Sequence, residues 1–354
     1  MKLLATLFLL LHGLTAGAQQ AELATLLKKA IVPGIQLIHT RNGKVTAYAM
    51  GLRTAGSPQA VDANSTFQAA SLGKVVLAYT ALRLHDRGLL ELDKPLLTYY
   101  PYPRLLGQPN ADKITTRMVL AHSSGLPNWA EYPLSTSWPA SPLRLRYPPG
   151  SCWNYSGEGY VFLQKTLEHL TGKSFEALAR EEVFRPLRMG SSSFVWNVGF
   201  GLNACFGHDK TGKPTEIRRF AEPNAGFSLL TNASDYNRFL RAVLAGTGLT
   251  PAARKLLVAP ANAATRCATP ASTTDPCIAW ACGVGLATTS RGPALWHWGD
   301  NGDFQGFFMA FPDREESLLF LTNSANGLKL TDEVLRLFFG PGQYQVMQWL
   351  AEEK

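Results

Sequence analysis

Two residues three positions apart hold the clearest chemistry in this chain. Ser71 and Lys74 stand in Ser71-Leu72-Gly73-Lys74, and no other serine has a lysine three residues on. On a helix, positions i and i+3 share a face, so hydroxyl and amine would lie side by side at the helix start. Val75, Val76, Leu77, Ala78, Ala81, Leu82 and Leu84 follow and leave almost no polar stripe. Such a helix is buried on nearly all sides. A lysine pressed against it is partly desolvated, which lowers its pKa. A neutral amine beside a hydroxyl can take its proton and make the serine a nucleophile. About one match to so short a pattern is expected by chance in 354 residues, so the pair needs support from elsewhere in the chain.

Two further stretches supply it. Trp153-Asn154-Tyr155-Ser156-Gly157 follows Pro148-Pro149-Gly150, and Trp296-His297-Trp298-Gly299-Asp300-Asn301 lies at an expected strand end. With the Ser71 stretch, these resemble the three motifs of serine β-lactamases and penicillin-binding proteins. The resemblance is closest to the class C-like branch, which also holds esterases and D-Ala-D-Ala carboxypeptidases. It covers nearly the whole chain after residue 18. Val32-Pro33-Gly34, Leu92-Asp93-Lys94-Pro95, Leu120-Ala121-His122-Ser123-Ser124-Gly125-Leu126-Pro127, Pro186-Leu187-Arg188-Met189 and Leu321-Thr322-Asn323-Ser324 resemble that branch in the right order.

The resemblance implies a nucleophilic Ser71 that forms an acyl-enzyme, a Lys74 that helps activate it, and a Tyr155 that acts as general base and then protonates the leaving group. His297 stands where many relatives carry lysine; esterase-like members often have His there. The backbone N–H groups of Ser71 and Asp300 would form the oxyanion hole, with Gly299 beside them. Fixed donors are what a tetrahedral oxyanion needs; one is worth roughly 3 kcal/mol in serine hydrolases. Two positions depart from the pattern. The usual Tyr-x-Asn is here Tyr155-Ser156-Gly157, which removes an amide that normally contacts the substrate's acyl side chain. Gly157 is therefore expected to leave a wider, less polar acyl pocket. Trp298 replaces a small hydroxyl residue and either narrows the site or packs away from it. Trp129 and Tyr132 fit a cleft wall or the packing of their own loop equally well, and His122 reads as a residue that fixes its turn.

The elements that must position these residues follow from patterning. Ile35 to Thr40 and Val45 to Met50 read as strands joined by Asn42-Gly43, a type I′ hairpin signal because both central positions need positive φ. Ala21 to Ala30, Thr115 to Ala121, Glu158 to Leu170, Phe175 to Val183, Ser234 to Ala245, Asp332 to Phe339 and Tyr344 to Ala351 read as helices. Gly88 is placed to cap the Ser71 helix, and Asn128 to Pro149 reads as a surface loop. Ala279 to Thr288, Ala294 to Trp298, Phe304 to Phe311 and Ser317 to Thr322 are apolar runs bounded by turn residues, the pattern of strands. The expected class is α+β (α/β in the broad sense): one antiparallel sheet built from both chain ends, residues 21–70 and 270–354, around a mostly helical insertion, residues 71–269.

Composition bounds the rest. Hydrophobic residues make up 46% and charged residues 17% of the chain, a globular balance. The net charge of +8 is scattered, so no nucleic-acid partner is expected. Residues 1–18 read as a signal peptide: Lys2, the apolar run Leu3 to Leu11, and the small-residue site Ala16-Gly17-Ala18. The apolar run is too short to span a bilayer, so an exported protein, periplasmic or secreted and without a membrane anchor, is expected for residues 19–354. Export permits disulfides. The five cysteines are Cys152, Cys205, Cys267, Cys277 and Cys282. A Cys267–Cys277 bridge is expected, with Cys282 as competing partner. No Cys-x-x-Cys and no zinc-spaced His pair occurs, so neither metal nor cofactor is expected. Gly-x-Ser-x-Gly is absent, which excludes the α/β-hydrolase nucleophile elbow. A monomeric serine hydrolase acting on a small ester, a β-lactam or a peptidoglycan-type peptide is the resulting expectation. A true β-lactamase or an idle cell-wall-peptide-binding homologue are the rivals.

Overall fold

The computed structural model describes residues 16–352. The apolar run Leu3 to Leu11 of the expected signal peptide lies outside the described residues, and Ala16-Gly17-Ala18 open the first helix. In chain order the elements are α1 (Ala16–Ala30), β1 (Gly34–Arg41), β2 (Lys44–Gly51), β3 (Phe67–Ala70), α2 (Gly73–Asp86), α3 (Thr116–Leu120), α4 (Gly157–Thr171), α5 (Phe175–Ala179), β4 (Leu229–Thr231), α6 (Ala233–Ala245), α7 (Pro251–Val258), β5 (Ile278–Trp280), β6 (Gly285–Thr289), β7 (Gly292–Asp300), β8 (Gln305–Phe311), β9 (Glu316–Thr322), α8 (Thr331–Phe339) and α9 (Val346–Ala351).

Seven strands form one antiparallel sheet in the order β2-β1-β9-β8-β7-β6-β5. The β1–β9 pairing, with Leu37 opposite Phe320, closes the two ends of the chain onto each other. Arg41 pairs with Lys44 across Asn42 (φ 49°) and Gly43 (φ 76°), as the hairpin signal requires. Strand alternation divides the core in two. Phe307, Met309, Leu318 and Phe320 point to a cluster with α1, α8 and α9, while Phe308, Ala310, Leu319 and Leu321 point to a larger one built around α2.

α2 is the centre of the larger cluster. Every residue from Gly73 to Leu82 is buried. It ends where expected: Gly88 lies at φ 73°, and its N–H donates to the His85 carbonyl at 2.8 Å.

Three readings of the sequence differ from the structure. The run Ala279 to Thr288 is not one strand: a turn at residues 281–284 divides β5 from β6. Gly283 (φ 107°) lies hard against Ala78 of α2, so the chain must leave the sheet there to clear the buried helix. Residues 67–70 do not join the main sheet; β3 pairs with β4 in a separate ribbon, with an irregular register between Gln68 and Ala70. The expected Cys267–Cys277 bridge is replaced by Cys152–Cys267, with Cα atoms 5.2 Å apart at a sequence separation of 115. A parallel bridge between Trp153 and Arg266 brings those segments together. Trp153 N–H donates to the Thr265 carbonyl at 2.7 Å, and Cys267 N–H to the Trp153 carbonyl at 3.1 Å. Cys277 is left free and half-buried; Cys205 and Cys282 are buried thiols, with burial pushing Cys282 up to about 11.

Candidate active site

β3 ends at Ala70 with φ 50°, a left-handed conformation costly for a residue with a Cβ. That bend turns the chain into α2 and leaves Ser71 half-buried in front of the helix. Gly73 permits the close approach that follows, since a Cβ there would sit 2.9 Å from the Ala225 carbonyl oxygen. Lys74, one turn on, is completely buried. Its Nζ donates to Ser71 Oγ at 3.0 Å and to the Gly226 carbonyl at 2.9 Å. Ser71 Oγ donates to the same carbonyl at 3.1 Å. The cost of burying a charge pulls the Lys74 pKa down to about 7. The rings of Tyr155, Tyr160 and Trp129, with centroids 4.9, 5.7 and 6.0 Å from Nζ, would favour the cation. Desolvation outweighs them.

Tyr155 comes from the segment before α4 and is held by the turn at residues 122–128. Asn154 N–H donates to the His122 carbonyl at 2.7 Å, Ser156 N–H to His122 Nδ1 at 3.1 Å, and Asn154 Nδ2 to the Leu126 carbonyl at 2.7 Å. The Tyr155 ring packs on His122 at 4.3 Å and on Trp298 at 4.8 Å between centroids. His122 is buried and accepts from a backbone N–H, so it is neutral; burial, then Lys74 and His297, hold its pKa well below the usual histidine value. It fixes the Tyr155 segment as well as its own turn.

β7 supplies the third side. His297 is completely buried, and its Nδ1–H donates to the Trp298 carbonyl at 2.7 Å. Burial first, and Lys74 second, depress its pKa to about 3. The position that carries a lysine cation in many resembling enzymes therefore carries a neutral imidazole here. Gly299 lies against the Ala69 carbonyl, where no side chain would fit, and this locks β7 to the end of β3. Asp300 follows at the cleft; its carboxylate accepts from Gly302 N–H at 2.7 Å and Gln305 Nε2 at 3.0 Å. Asn301 Nδ2 ties the same turn to Gln68 at 2.9 Å and to the Phe227 carbonyl at 3.1 Å.

Ser71, Tyr155 and Asp300 thus line one cleft of about 890 Å³, with Lys74, His297 and Gly299 just behind them. Trp298 faces this cleft over Tyr155 rather than packing away from it. Gly157 departs from expectation. The space its side chain would take is filled, for a Cβ there would sit 2.5 Å from the Trp129 ring. The space beside position 157 is therefore not wider. Patterning could not find Gly226, which acts through a backbone carbonyl; the helix expected at Tyr344 to Ala351 is present as α9, but that its Met347 and Leu350 line the cleft was not legible. Among the described residues no cluster of His, Cys, Asp and Glu could hold a metal ion, and no helix is long and apolar enough to cross a membrane.

Known proteins share this architecture. A penicillin-binding protein 4 of Amycolatopsis lactamdurans is 25% identical over 329 residues, 87% of this chain and 85% of that one. The esterase EstB of Burkholderia gladioli is 27% identical over 275 residues, 64% of this chain and 69% of that one. The solved structure of a class C β-lactamase superposes with a TM-score of 0.75 at 19% identity, over 90% of this chain and 94% of that one. The family described as Beta-lactamase matches residues 20–337. This chain belongs to the Beta-lactamase family.

Proposed function

We propose that this protein is an exported serine hydrolase that cleaves an ester, or secondarily an amide, through an acyl-Ser71 intermediate. The observation that carries the reading is Lys74: a buried amine with a pKa near 7, 3.0 Å from a serine hydroxyl that faces a cleft. Neutral Lys74 accepts the Ser71 proton as Oγ attacks the substrate carbonyl. The new oxyanion lies between the N–H groups of Ser71 and Asp300. Tyr155, packed beside Lys74, passes the proton to the leaving alcohol or amine, and the carbonyl re-forms as acyl-Ser71. Water then attacks the acyl carbon, giving its proton to the same Tyr155 and Lys74 pair; the Oγ–acyl bond breaks, Ser71 Oγ takes that proton back, and the free acid leaves. His297 stays neutral and shapes the site without adding positive charge. The Cys152–Cys267 bridge supports export, since such bonds persist in oxidising compartments.

Esters are favoured over β-lactams and peptides because position 157 has no side-chain amide where Tyr-x-Asn relatives have one; the carbon edge of Trp129 fills that place, and the neighbouring Asn128 spends its Oδ1 on Gly157 N–H. A buried substrate amide would lose a partner there, at a cost of about 1–3 kcal/mol. The similarity to an esterase fits the same reading.

The test is covalent labelling. A fluorophosphonate probe should modify Ser71, located by peptide mass spectrometry, and Ser71→Ala should lose both label and esterase turnover. Tyr155→Phe should slow turnover by about 10²–10⁴-fold. Label on another serine with Ser71 clean would refute the assignment.

A further inference from the structure

The indole of Trp129 lies in a slot made by two glycines. A Cβ on Gly157 would meet its ring at 2.5 Å, and a Cβ on Gly226 would meet it at 2.8 Å. Gly226 is also the residue whose carbonyl receives both Ser71 and Lys74. The ring therefore stands one residue from the nucleophile, on the side where the Tyr155-Ser156-Gly157 turn enters α4.

Its position is fixed by the network around it. Asn128 Oδ1 accepts from Gly157 N–H at 3.0 Å, and the Asn128 carbonyl accepts from Glu158 N–H at 3.0 Å. Ala130 N–H donates to Glu158 Oε1 at 2.9 Å. Residues on both sides of Trp129 are thus tied to the start of α4. Glu158 is completely buried; it takes two bonds from Arg104, at 2.7 and 3.1 Å, and one from Trp138 Nε1 at 2.8 Å. Trp138 and Phe227 brace the indole edge-on, at 5.7 and 5.8 Å between centroids. The backbone that carries the indole is anchored to α4 on both sides, and Trp138 and Phe227 pack its ring, so it forms a wall of the site.

We infer that Trp129 sets the substrate class of the Ser71 site: it blocks the acyl side and restricts the enzyme to short, apolar acyl groups without a side-chain amide. This rests on the proposed acyl-Ser71 chemistry. The atoms it presents toward Gly157 and Gly226 are ring carbons, which offer contact but no hydrogen bond. The rest of the cleft, lined among others by Phe220, Met347 and Leu350, is left for the leaving group.

The experiment compares kcat/KM for 4-nitrophenyl acetate, butyrate and octanoate, which share a leaving group, in wild type, Trp129→Ala and Trp129→Phe. Wild type should lose activity steeply with acyl length. Trp129→Ala should raise the octanoate-to-acetate ratio by about ten-fold or more, the scale on which pocket volume discriminates. Trp129→Phe should fall between and covers the case where the alanine variant does not fold. A ratio within about two-fold of wild type in a folded variant whose Ser71 still takes a fluorophosphonate would overturn the inference. If wild type turns over no ester yet is acylated by penicillins, the ester reading fails while the role of Trp129 is decided separately. The ratio of acylation by benzylpenicillin to that by 6-aminopenicillanic acid, which lacks the acyl side chain, should then rise about ten-fold in Trp129→Ala; an unchanged ratio overturns the inference. No acylation of Ser71 by any probe overturns both together.

Discussion

Lys74 lies over the face of Tyr155, its Nζ 4.9 Å from the ring centroid, while the same nitrogen is 3.0 Å from Ser71 Oγ. One buried amine therefore touches both the candidate nucleophile and the candidate proton carrier. Its protonation state sets when the pair can work. With a pKa of about 7, Lys74 is a cation and no base below that pH, and a neutral amine above it. For an uncharged ester, kcat/KM should rise with one proton's slope through about pH 7 and level off above. Lys74→Arg should remove the activity at every pH, because a guanidinium does not deprotonate in proteins. The stability linkage has the matching sign. The unfolded lysine holds its proton to about pH 10.4, so between about 7 and 10 the unfolded state binds more protons and stability rises with pH. Lys74→Met should gain most in Tm at or below pH 7, and the gain should shrink toward pH 10. A rate limb centred below pH 5 would assign the base to a carboxylate instead.

The two buried histidines of the site predict acid sensitivity, and burial of His208, which also lowers its pKa, adds in the same direction. His297 titrates at about 3 in the fold, and His122 well below its usual value, both first because of burial. Unfolded histidines titrate near 6.5. As pH falls from about 6.5 toward 3, the unfolded chain binds protons that the folded chain refuses, so stability is lost across that window. His122→Gln and His297→Gln should each flatten the fall of Tm between pH 6.5 and 4. The His122 variant should also lower kcat, because the flexible glutamine amide replaces the fixed imidazole that accepts from Ser156 N–H and packs on the Tyr155 ring. A wild-type Tm that does not change from pH 7 to 4 would argue against both neutral assignments.

Much of this arrangement was legible in the sequence, and the misses have physical causes. Ser71, Lys74, Tyr155, Gly299 and Asp300 sit in local motifs, where one turn of helix or one strand end decides the geometry. The hairpin at Asn42-Gly43 and the capping role of Gly88 were legible for the same reason: positive φ is written in residue type. What patterning could not see were contacts between distant segments. The β5–β6 break depends on Ala78 of α2 meeting Gly283, and the Cys152–Cys267 bridge on a pairing across 115 residues. Cys277 is nearer in sequence, but the Trp153–Arg266 bridge carries Cys267 to Cys152. What fills the place beside Gly157 is not legible either, because a missing side chain says nothing about which neighbour takes its volume.

The bridge itself makes a prediction. It closes a loop of 115 residues, for which the chain-entropy model gives about 4–5 kcal/mol. It also anchors Trp153, two residues before Tyr155. Cys152→Ser should lower Tm by several degrees or more and reduce turnover, whereas Cys277→Ser should change little. Dithiothreitol should bring the wild type down to the level of Cys152→Ser. Non-reducing peptide maps that join Cys267 to Cys277 would contradict the pairing.

Gly157 and Trp129 are predicted to be coupled, and the coupling separates a steric reason for the glycine from a backbone one. Gly157 lies in the first turn of α4 and is not among the glycines at positive φ. Nothing in its backbone conformation forbids a side chain. The obstacle is the indole, 2.5 Å from where the Cβ would be. Gly157→Asn alone must displace Trp129 and strain the Asn128 and Ala130 bonds to α4, so it should lower Tm and turnover together. Trp129→Ala alone opens a slot at moderate cost. The double variant gives the asparagine the volume the indole leaves, so its Tm should exceed the sum of the single effects. Coupling between touching residues is commonly about 0.5–3 kcal/mol. The asparagine would also restore an amide at the acyl side. The ratio of kcat/KM for a chromogenic cephalosporin to that for 4-nitrophenyl acetate should therefore rise about ten-fold over Trp129→Ala, for one regained hydrogen bond of about 1.4 kcal/mol. Strict additivity in Tm would show that the two residues do not compete for space. A stable double variant with an unchanged ratio would show that this side of the site does not read the acyl amide.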